Sequence, residues 1–337
     1  MLGPSIRLHT GLLTQIPLNF TCMSNLEREF LCQLLAENTR IDGRGFDDMR
    51  NLSLRFGNEY GHVEVSLGNT KLIVQVSASV KMPAPERPFE GLFHISTDVS
   101  SMASPDFENG RSTGAEEVLV SRMIEKAIRR SNAVDLESLL IVAGKRCWQV
   151  RADVHYLNYD GGLVDASCIG VIAGLLHFRR PDTSIDGDKV VVHDVTERPP
   201  VPLSILHVPI SVSWSFIPGI STKSESDMED ESSDDNDEQD DGAVVALLDA
   251  TAAEQALRNG EITITVNKDR ELCQITKAGG AQLSTATVSR FTQKAFEIAK
   301  SVSDLIQKEL NADYKRRNHG NLGSNLENKE ESAVNER

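Results

Sequence analysis

Apolar residues recur along this chain at two spacings, one typical of helices and the other typical of strands. Ser24 and Glu27 have the spacing of a capping box, and the leucine and phenylalanine residues between positions 26 and 35 form one helical stripe behind it. Alternating apolar and polar residues then predict an antiparallel meander of strands. Its members are 52–56, 62–67 and 72–80.

The rest of the chain repeats both patterns. Thr113 and Glu116 form a second capping box in front of an apolar helical stripe. Residues 166–178 are apolar nearly all round, which is typical of a buried helix, and a last helical stripe runs from 291 to 305. Further strands are predicted at 91–99, 145–156, 189–193, 206–216, 260–267 and 271–277.

Charge divides the chain unevenly. The net charge is −15, and residues 221–241 alone hold eleven acidic residues against one lysine. The body is therefore only mildly acidic, which argues against a stand-alone nucleic-acid binder, since such proteins carry a concentrated basic face. It leaves room for a composite channel shared with partner proteins.

Composition also predicts how the chain is organised. We expect a flexible extension over 1–23, an ordered body over 24–310 that contains a disordered acidic insertion at 221–242, and a disordered tail over 311–337.

Three serines in the acidic insertion each have an acidic residue three places on, the pattern that acidophilic kinases favour. They are Ser224, Ser226 and Ser232. Phosphorylation there would deepen a negative patch that could recruit a basic partner. We favour the simpler interpretation of an inert, solvated insertion, and both remain open.

Several classes of protein are disfavoured by what the sequence lacks. The five cysteines include no CxxC pair, and the eight histidines show no HxxxH or HExxH spacing, so we expect neither a metal site nor a cofactor. No apolar run reaches the roughly 18 residues that span a bilayer, and the N-terminus lacks a secretory pattern. An intracellular protein without a membrane partner is expected.

The segment NYDGGLVDAS, residues 158–167, is the most informative candidate site. Gly161 and Gly162 follow a predicted strand and open a helix, where free N–H groups form a ready phosphate site. Leu163 and Val164 then supply neither a hydroxyl nor a guanidinium, and Asp165 is expected to put a carboxylate where the anion would bind. The pattern predicts a phosphate site that is plugged from within.

A second constellation lies on the strand before it. Asp153 and His155 share one strand face, so they could form an acid–base pair with Ser167 as a distant nucleophile. No triad spacing supports this, and we favour a polar strand face or a subunit contact.

Five motifs, in this order of elements, resemble the ribonuclease PH family over residues 24–310. They are RIDGR, FENGRS, VAGKRCWQVRADVHYLNYDGGLVDAS, FRRPD and PVPLSILHVPI. The resemblance implies an α+β fold of the ribosomal-protein-S5-domain-2 type, with an N-terminal ribonuclease PH domain over 24–180 and a C-terminal ribonuclease PH domain over 181–310. Within the family, the chain is most similar to ring subunits of the eukaryotic RNA exosome.

The resemblance also implies partners. Ring subunits of this kind pair as heterodimers that close into a six-membered ring around an RNA channel, together with S1/KH cap subunits and exosome nucleases. Such a complex processes ribosomal RNA and degrades messenger RNA from the 3′ end, in the nucleus, the nucleolus and the cytoplasm. Arg111 in NGRS would line the RNA path, with a structural salt bridge as an equally open alternative. Lys81 and Arg87 resemble the basic loop at the channel mouth, although solvated surface cations are the default interpretation.

Active family members hold the attacking phosphate with a hydroxyl residue and an arginine after the glycine pair, where this chain has Leu163 and Val164. They also place an acid at the start of the strand that matches 261–267, and the aligned residue is Gly260. Glu261 and Asp249 are nearby carboxylates, but adjacent strand residues face opposite sides. We therefore expect a degenerate phosphate site and a degenerate acid site.

Three functions follow from these residues. We favour a non-catalytic ring subunit that supplies part of the channel wall, because two independent features of the active site are missing. An active phosphorolytic exoribonuclease would need Glu261 or Asp249 and an arginine from a partner. A regulator of RNA turnover outside any ring would act through the acidic segment.

Overall fold

The computed structural model describes residues 23–104, 107, 111–186, 189–194, 197–218, 244–280 and 282–334. The side chains of residues 111–116, 189 and 318–334 lie outside this description. The predicted acidic insertion with Ser224, Ser226 and Ser232 also lies outside the described residues, as do residues 1–22 of the predicted extension.

The first half of the chain forms a sheet with the strand order β1-β2-β3-β6-β4, and β5 pairs with β6. Its strands are β1 Leu52–Phe56, β2 His62–Leu67, β3 Thr70–Lys81, β4 Leu92–Asp98, β5 Leu140–Val142 and β6 Arg146–Asn158. The predicted meander β1-β2-β3 is confirmed as antiparallel, and only β4 runs parallel to its neighbour β6. The helices of this half are α1 Asn25–Ala36, α2 Arg111–Ile128 and α3 Leu163–His177.

The second half forms a four-stranded antiparallel sheet with the order β12-β11-β13-β14. Its strands are β11 Ile210–Pro218, β12 Val244–Leu248, β13 Gly260–Val266 and β14 Leu272–Gly279. Helices α4 Ala252–Leu257 and α5 Thr285–Val334 belong to this half. Two small ribbons lie between the halves in sequence: β7 Arg179–Arg180 with β10 Val201–Pro202, and β8 Thr183–Asp186 with β9 Lys189–Val192.

Helix α3 joins the two halves. It packs against β2 and β3 on one side and against β11 on the other, so it is buried on nearly every face, as its composition predicts. The approach to β3 is close: a Cβ atom on Gly170 would lie 2.8 Å from Val74 Cγ2. One apolar core therefore continues from the first sheet through α3 into the second.

Two predictions about helices need correction. The capping box of Ser24 and Glu27 is confirmed, and Leu31 and Leu35 are buried, but Leu26 and Phe30 of the same predicted stripe are 78% and 56% exposed. Only one edge of the stripe faces this chain's core.

The prediction of a disordered tail from residue 311 is wrong, because α5 continues without a break past that point. Asp313 is buried and pairs with Arg317, one helical turn later. A polar anchor of this kind leaves no trace in apolar periodicity. Among the described residues, no helix is both long and apolar enough to cross a lipid bilayer.

Candidate functional site

The start of α3 opens into a cavity of about 460 Å³. Helix α2 forms one wall, strands β13 and β14 form the opposite wall, and Leu163 and Val164 lie between them. Glu261 lines the same cavity. The structure therefore brings together the predicted phosphate site and the predicted acid site, which are almost 100 positions apart in the chain.

The glycine pair has a structural explanation. Gly161 and Gly162 have φ angles of +77° and +67°, in the left-handed region that favours glycine. A Cβ atom on Gly161 would lie 2.4 Å from Ala250 O, and one on Gly162 would lie 2.6 Å from Arg50 Nη2. Both positions thus require glycine because neighbouring chain packs against them, whether or not an anion binds.

Asp165 does not plug the site, contrary to the sequence-based expectation. Its carboxylate is 1% exposed and faces β11, where it accepts hydrogen bonds from Ser213 N at 2.9 Å and Ser213 Oγ at 2.8 Å. Burial, with the negative charge of Asp249 as the next cause, raises the pKa of Asp165 well above its usual value. Helix α3 has no side-chain cap at Gly162. The predicted plug is thus part of the floor beneath the cavity.

Asp249 is held in a buried ion pair with Arg50. Arg50 Nε and Nη2 donate to the two carboxylate oxygens at 2.9 and 2.6 Å, and Arg50 N donates to the same carboxylate at 2.9 Å. Burial alone would lower the pKa of Arg50, but Asp249 outweighs it and the pKa is raised. Arg50 also donates to Asp160 O and to Gly161 O, so it fastens the glycine turn to the end of β12.

A second buried arginine supports the same region. Arg40, in the RIDGR motif, forms two hydrogen bonds with the carboxylate of Glu254, at 2.9 and 2.6 Å. Glu254 also closes a capping box with Thr251 at the start of α4. The sequence alone assigns no structural role to Arg40 or Arg50, because their carboxylate partners lie about 200 positions away in the chain.

The predicted acid site is also filled by structural contacts. Glu261 pairs with Arg258 at 2.5 Å, and both side chains are largely buried. Gly260 lies opposite Gly279 in the β13–β14 ladder, and a Cβ atom on Gly260 would lie 2.5 Å from Gly280 N. No side chain fits at position 260 on this backbone.

The proposed acid–base pair with a distant nucleophile is not assembled. Asp153 pairs with Arg151 at 2.7 Å, and His155 pairs with Asp98 at 3.1 Å across the β4–β6 register. Ser167 is buried and bonds to Tyr156. Each side chain has its own local partner, which fits the polar strand face that the sequence favoured.

Lys81 and Arg87, two of the three residues predicted to bind RNA, are not among the described residues that line the cavity. Lys81 is exposed at the end of β3, and Arg87 is exposed in the next loop, where it pairs with Glu90 at 3.0 Å. The backbone of Arg111 begins α2, but its side chain lies outside the described residues. Within the described part of the chain, no three metal-binding side chains are grouped as a metal site.

Two family models together match more than half of the chain. Domain 1 of the 3′ exoribonuclease family, or ribonuclease PH, matches residues 48–181, and domain 2 matches residues 237–301. The chain belongs to this family. The family prediction and its α+β fold are therefore confirmed.

The ribonuclease PH family includes relatives with which the chain shares nearly its whole length. It is 45% identical over 296 residues to the exosome complex component RRP45 of Saccharomyces cerevisiae, covering 88% of this chain and 93% of that protein. It is 38% identical over 300 residues to the human exosome complex component RRP45, covering 89% of this chain and 63% of that protein.

Solved structures of archaeal exosomes contain chains with a similar fold. A chain of the Archaeoglobus fulgidus exosome with RNA bound to the active site has a TM-score of 0.66 and 25% identity. The match covers 83% of this chain and 97% of that chain. An archaeal exosome core matches with a TM-score of 0.63 and shares the fold.

Proposed function

We propose that this chain is a non-catalytic ring subunit of an RNA exosome, which supports 3′-to-5′ RNA processing and decay by forming the ring and its RNA channel. Similarity to RRP45 from yeast to human supports the ring role. The observation that carries the non-catalytic role is the cavity at the start of α3, where apolar side chains occupy the positions after the glycine pair.

Phosphorolysis requires an oriented and partly neutralised phosphate, which fixed hydrogen-bond donors and a guanidinium supply. Leu163 and Val164 can provide neither. The backbone N–H groups at the start of α3 remain, but a helix terminus alone supplies only a fraction of a charge. We therefore propose that the loss of phosphate binding is the first reason why the chain is not catalytic.

The second proposed loss concerns the acid. Gly260 has no room for a side chain, and Glu261 is held by Arg258. The ion pair ties the Glu261 carboxylate to Arg258, so it is not free to approach a leaving group. Asp249 is buried with Arg50 and does not line the cavity.

The partners in this proposal are other ribonuclease PH-like ring subunits, S1/KH cap subunits, exosome nucleases and RNA. Arg111, Lys81 and Arg87 are proposed to contact RNA phosphates. The exposure of Lys81 and Arg87 supports this, because a phosphate contact requires a cation that remains accessible. The proposal places the complex in the nucleus, the nucleolus and the cytoplasm, which imaging of the tagged chain would test.

Native mass spectrometry of the tagged full-length chain, purified from its own cells, tests the ring role. We expect one copy of the chain among several different ribonuclease PH-like subunits and a separate nuclease. A homo-oligomer would favour the active enzyme, and a lone monomer would favour a regulator outside the ring. Phosphopeptide mapping of the same sample tests Ser224, Ser226 and Ser232.

The enzyme alternative has its own test. The purified complex is incubated with RNA and inorganic phosphate, and nucleoside diphosphates are measured for the native chain and for Glu261→Ala. Glu297→Ala is the matched control, because Glu297 is exposed on α5. Phosphate-dependent release that disappears only in Glu261→Ala would overturn the non-catalytic role, and we expect no such difference.

A further inference from the structure

Helix α5 begins against the second half of the molecule and reaches the first half near residue 313. Near its start, Phe291 stacks on Trp214 of β11 with ring centroids 5.0 Å apart. Near residue 313 it lies beside β1 of the first sheet, where Asp313, Leu54 and Phe56 line one small groove. The helix therefore crosses the junction between the halves.

At this crossing, Arg317 binds the turn between β1 and β2. Its Nη2 donates to Gly57 O at 2.6 Å, its Nη1 donates to Asn58 O at 2.7 Å, and its guanidinium lies 4.6 Å from the ring centroid of Tyr60. Asp313 accepts from Arg317 Nε at 2.6 Å and fixes the guanidinium in this orientation.

His177, the last residue of α3, completes the cluster. Gly61 N can only donate, and it lies 3.1 Å from His177 Nδ1, so the ring proton of neutral His177 is on Nε2. That Nε2 lies 3.2 Å from the carboxylate oxygen Asp313 Oδ2, and Arg317 Nη2 lies beside it, also 3.2 Å from Nε2. One neutral imidazole thus connects the β1–β2 turn to α5.

The groups around His177 keep it neutral. The side chain is 4% exposed, and burial followed by the charge of Arg317 lowers its pKa to about 4. Arg179 acts in the same direction, while Asp313 opposes both. Phe56 and Tyr60 cover the ring, with centroids 4.7 and 5.6 Å away.

We infer that Asp313, Arg317 and His177 form a latch that ties the second half of the molecule to the first through α5, and that the β1–β2 turn is ordered only while this latch is closed. Without Arg317 and His177, the turn loses hydrogen-bond partners for Gly57 O, Asn58 O and Gly61 N. Core packing elsewhere on α5 does not reach them, because Ile306 is the last fully buried apolar residue among the described side chains of this helix. All contacts of the latch lie within one chain, so the inference does not rest on the proposed assembly into a ring.

Hydrogen exchange of the full-length chain tests this inference. Asp313→Asn removes the charge that orients Arg317, and Asp304→Asn is the matched control, because Asp304 is exposed on the same helix. We expect Asp313→Asn to speed amide exchange about tenfold or more in two separate segments, residues 57–62 and residues 307–317. Exchange near Phe291 should not change, and Asp304→Asn should match the native chain throughout.

Arg317→Lys is a milder second variant, which keeps the charge but loses the fork that holds two carbonyls. It should also speed exchange of the β1–β2 turn. Faster exchange in α5 alone, with the turn unchanged in both variants, would overturn the latch, because α5 would then be a passive neighbour. Unchanged exchange in both segments would overturn it as well.

Discussion

The two ends of α3 differ in what they leave exposed. At the start, Leu163 and Val164 face an open cavity, and the nearby charges of Asp165, Arg50 and Asp249 are satisfied beneath it. At the end, His177 is covered by charged groups of α5 that close the surface. Free N–H groups at a helix start are therefore not sufficient for anion binding, because the surrounding side chains decide whether a charged group can bind at either end of the helix.

The largest effect should come from breaking the ion pair beneath the cavity. Asp249→Asn removes the closest partner charge of buried Arg50 and leaves only Asp160 at 3.6 Å as an ion-pair partner, so we expect a loss of about 3–5 kcal/mol in the free energy of unfolding. Urea denaturation followed by circular dichroism measures it. Asp269→Asn, on an exposed turn, is the control. A loss of less than about 1 kcal/mol would show that these charges do not support the site.

The other end of α3 should respond to pH. The pKa of His177 is lowered to about 4 in the folded chain. Between about pH 6.5 and 4 the imidazole is therefore protonated in the unfolded chain and neutral in the folded chain. This contribution to stability is complete above pH 6.5 and is lost as the pH falls from about 6.5 to 4, by about 3 kcal/mol. Denaturation at several pH values measures it. His177→Gln should flatten the curve in this window, and an unchanged slope would contradict the assignment.

Position 260, at the start of strand β13 beside the cavity, should not accommodate a side chain. Gly260→Ala places a Cβ against the backbone of Gly280, and we expect a loss of about 1–3 kcal/mol. Gly43→Ala is the comparison, because Gly43 has a φ of +72° and open space, so only backbone strain of about 1 kcal/mol applies. Thermal denaturation ranks the two variants. Equal losses would mean that the close approach to Gly280 relaxes freely.

The smallest effect should come from the cavity lining. Leu163 is half-buried, so Leu163→Ser should cost only about 1 kcal/mol in unfolding free energy. The buried neighbour Ile169, truncated to Ala, should cost about 2–5 kcal/mol. Chemical denaturation compares them. Losses of similar size would mean that Leu163 is a core residue and that the cavity is not open.

Much of the fold follows from local patterns in the sequence. The apolar composition of α3 predicts a helix buried between two sheets, and the glycine pair marks its start correctly. Leu163, Val164 and Glu261 line the same cavity. These features depend on neighbours along the chain or on motifs, so the sequence displays them directly.

The rest depends on contacts between distant residues. Arg50 and Asp249 are 199 positions apart, so no spacing rule connects them. Asp165 follows a pattern that suits an exposed cap, and only the position of Ser213 on β11 shows why it turns inward. The latch joins His177 to Asp313 and Arg317, 136 and 140 positions later, which is why the sequence predicted a disordered tail there.

Hydrogen exchange of the full-length chain, with and without millimolar inorganic phosphate, shows whether the start of α3 binds phosphate. We expect no phosphate-dependent protection of the amides of residues 162–166, with sodium chloride at matched ionic strength as the control. Saturable protection confined to these amides would contradict the non-catalytic role, because an anion would then bind beside Leu163 and Val164, which offer it no polar side chain.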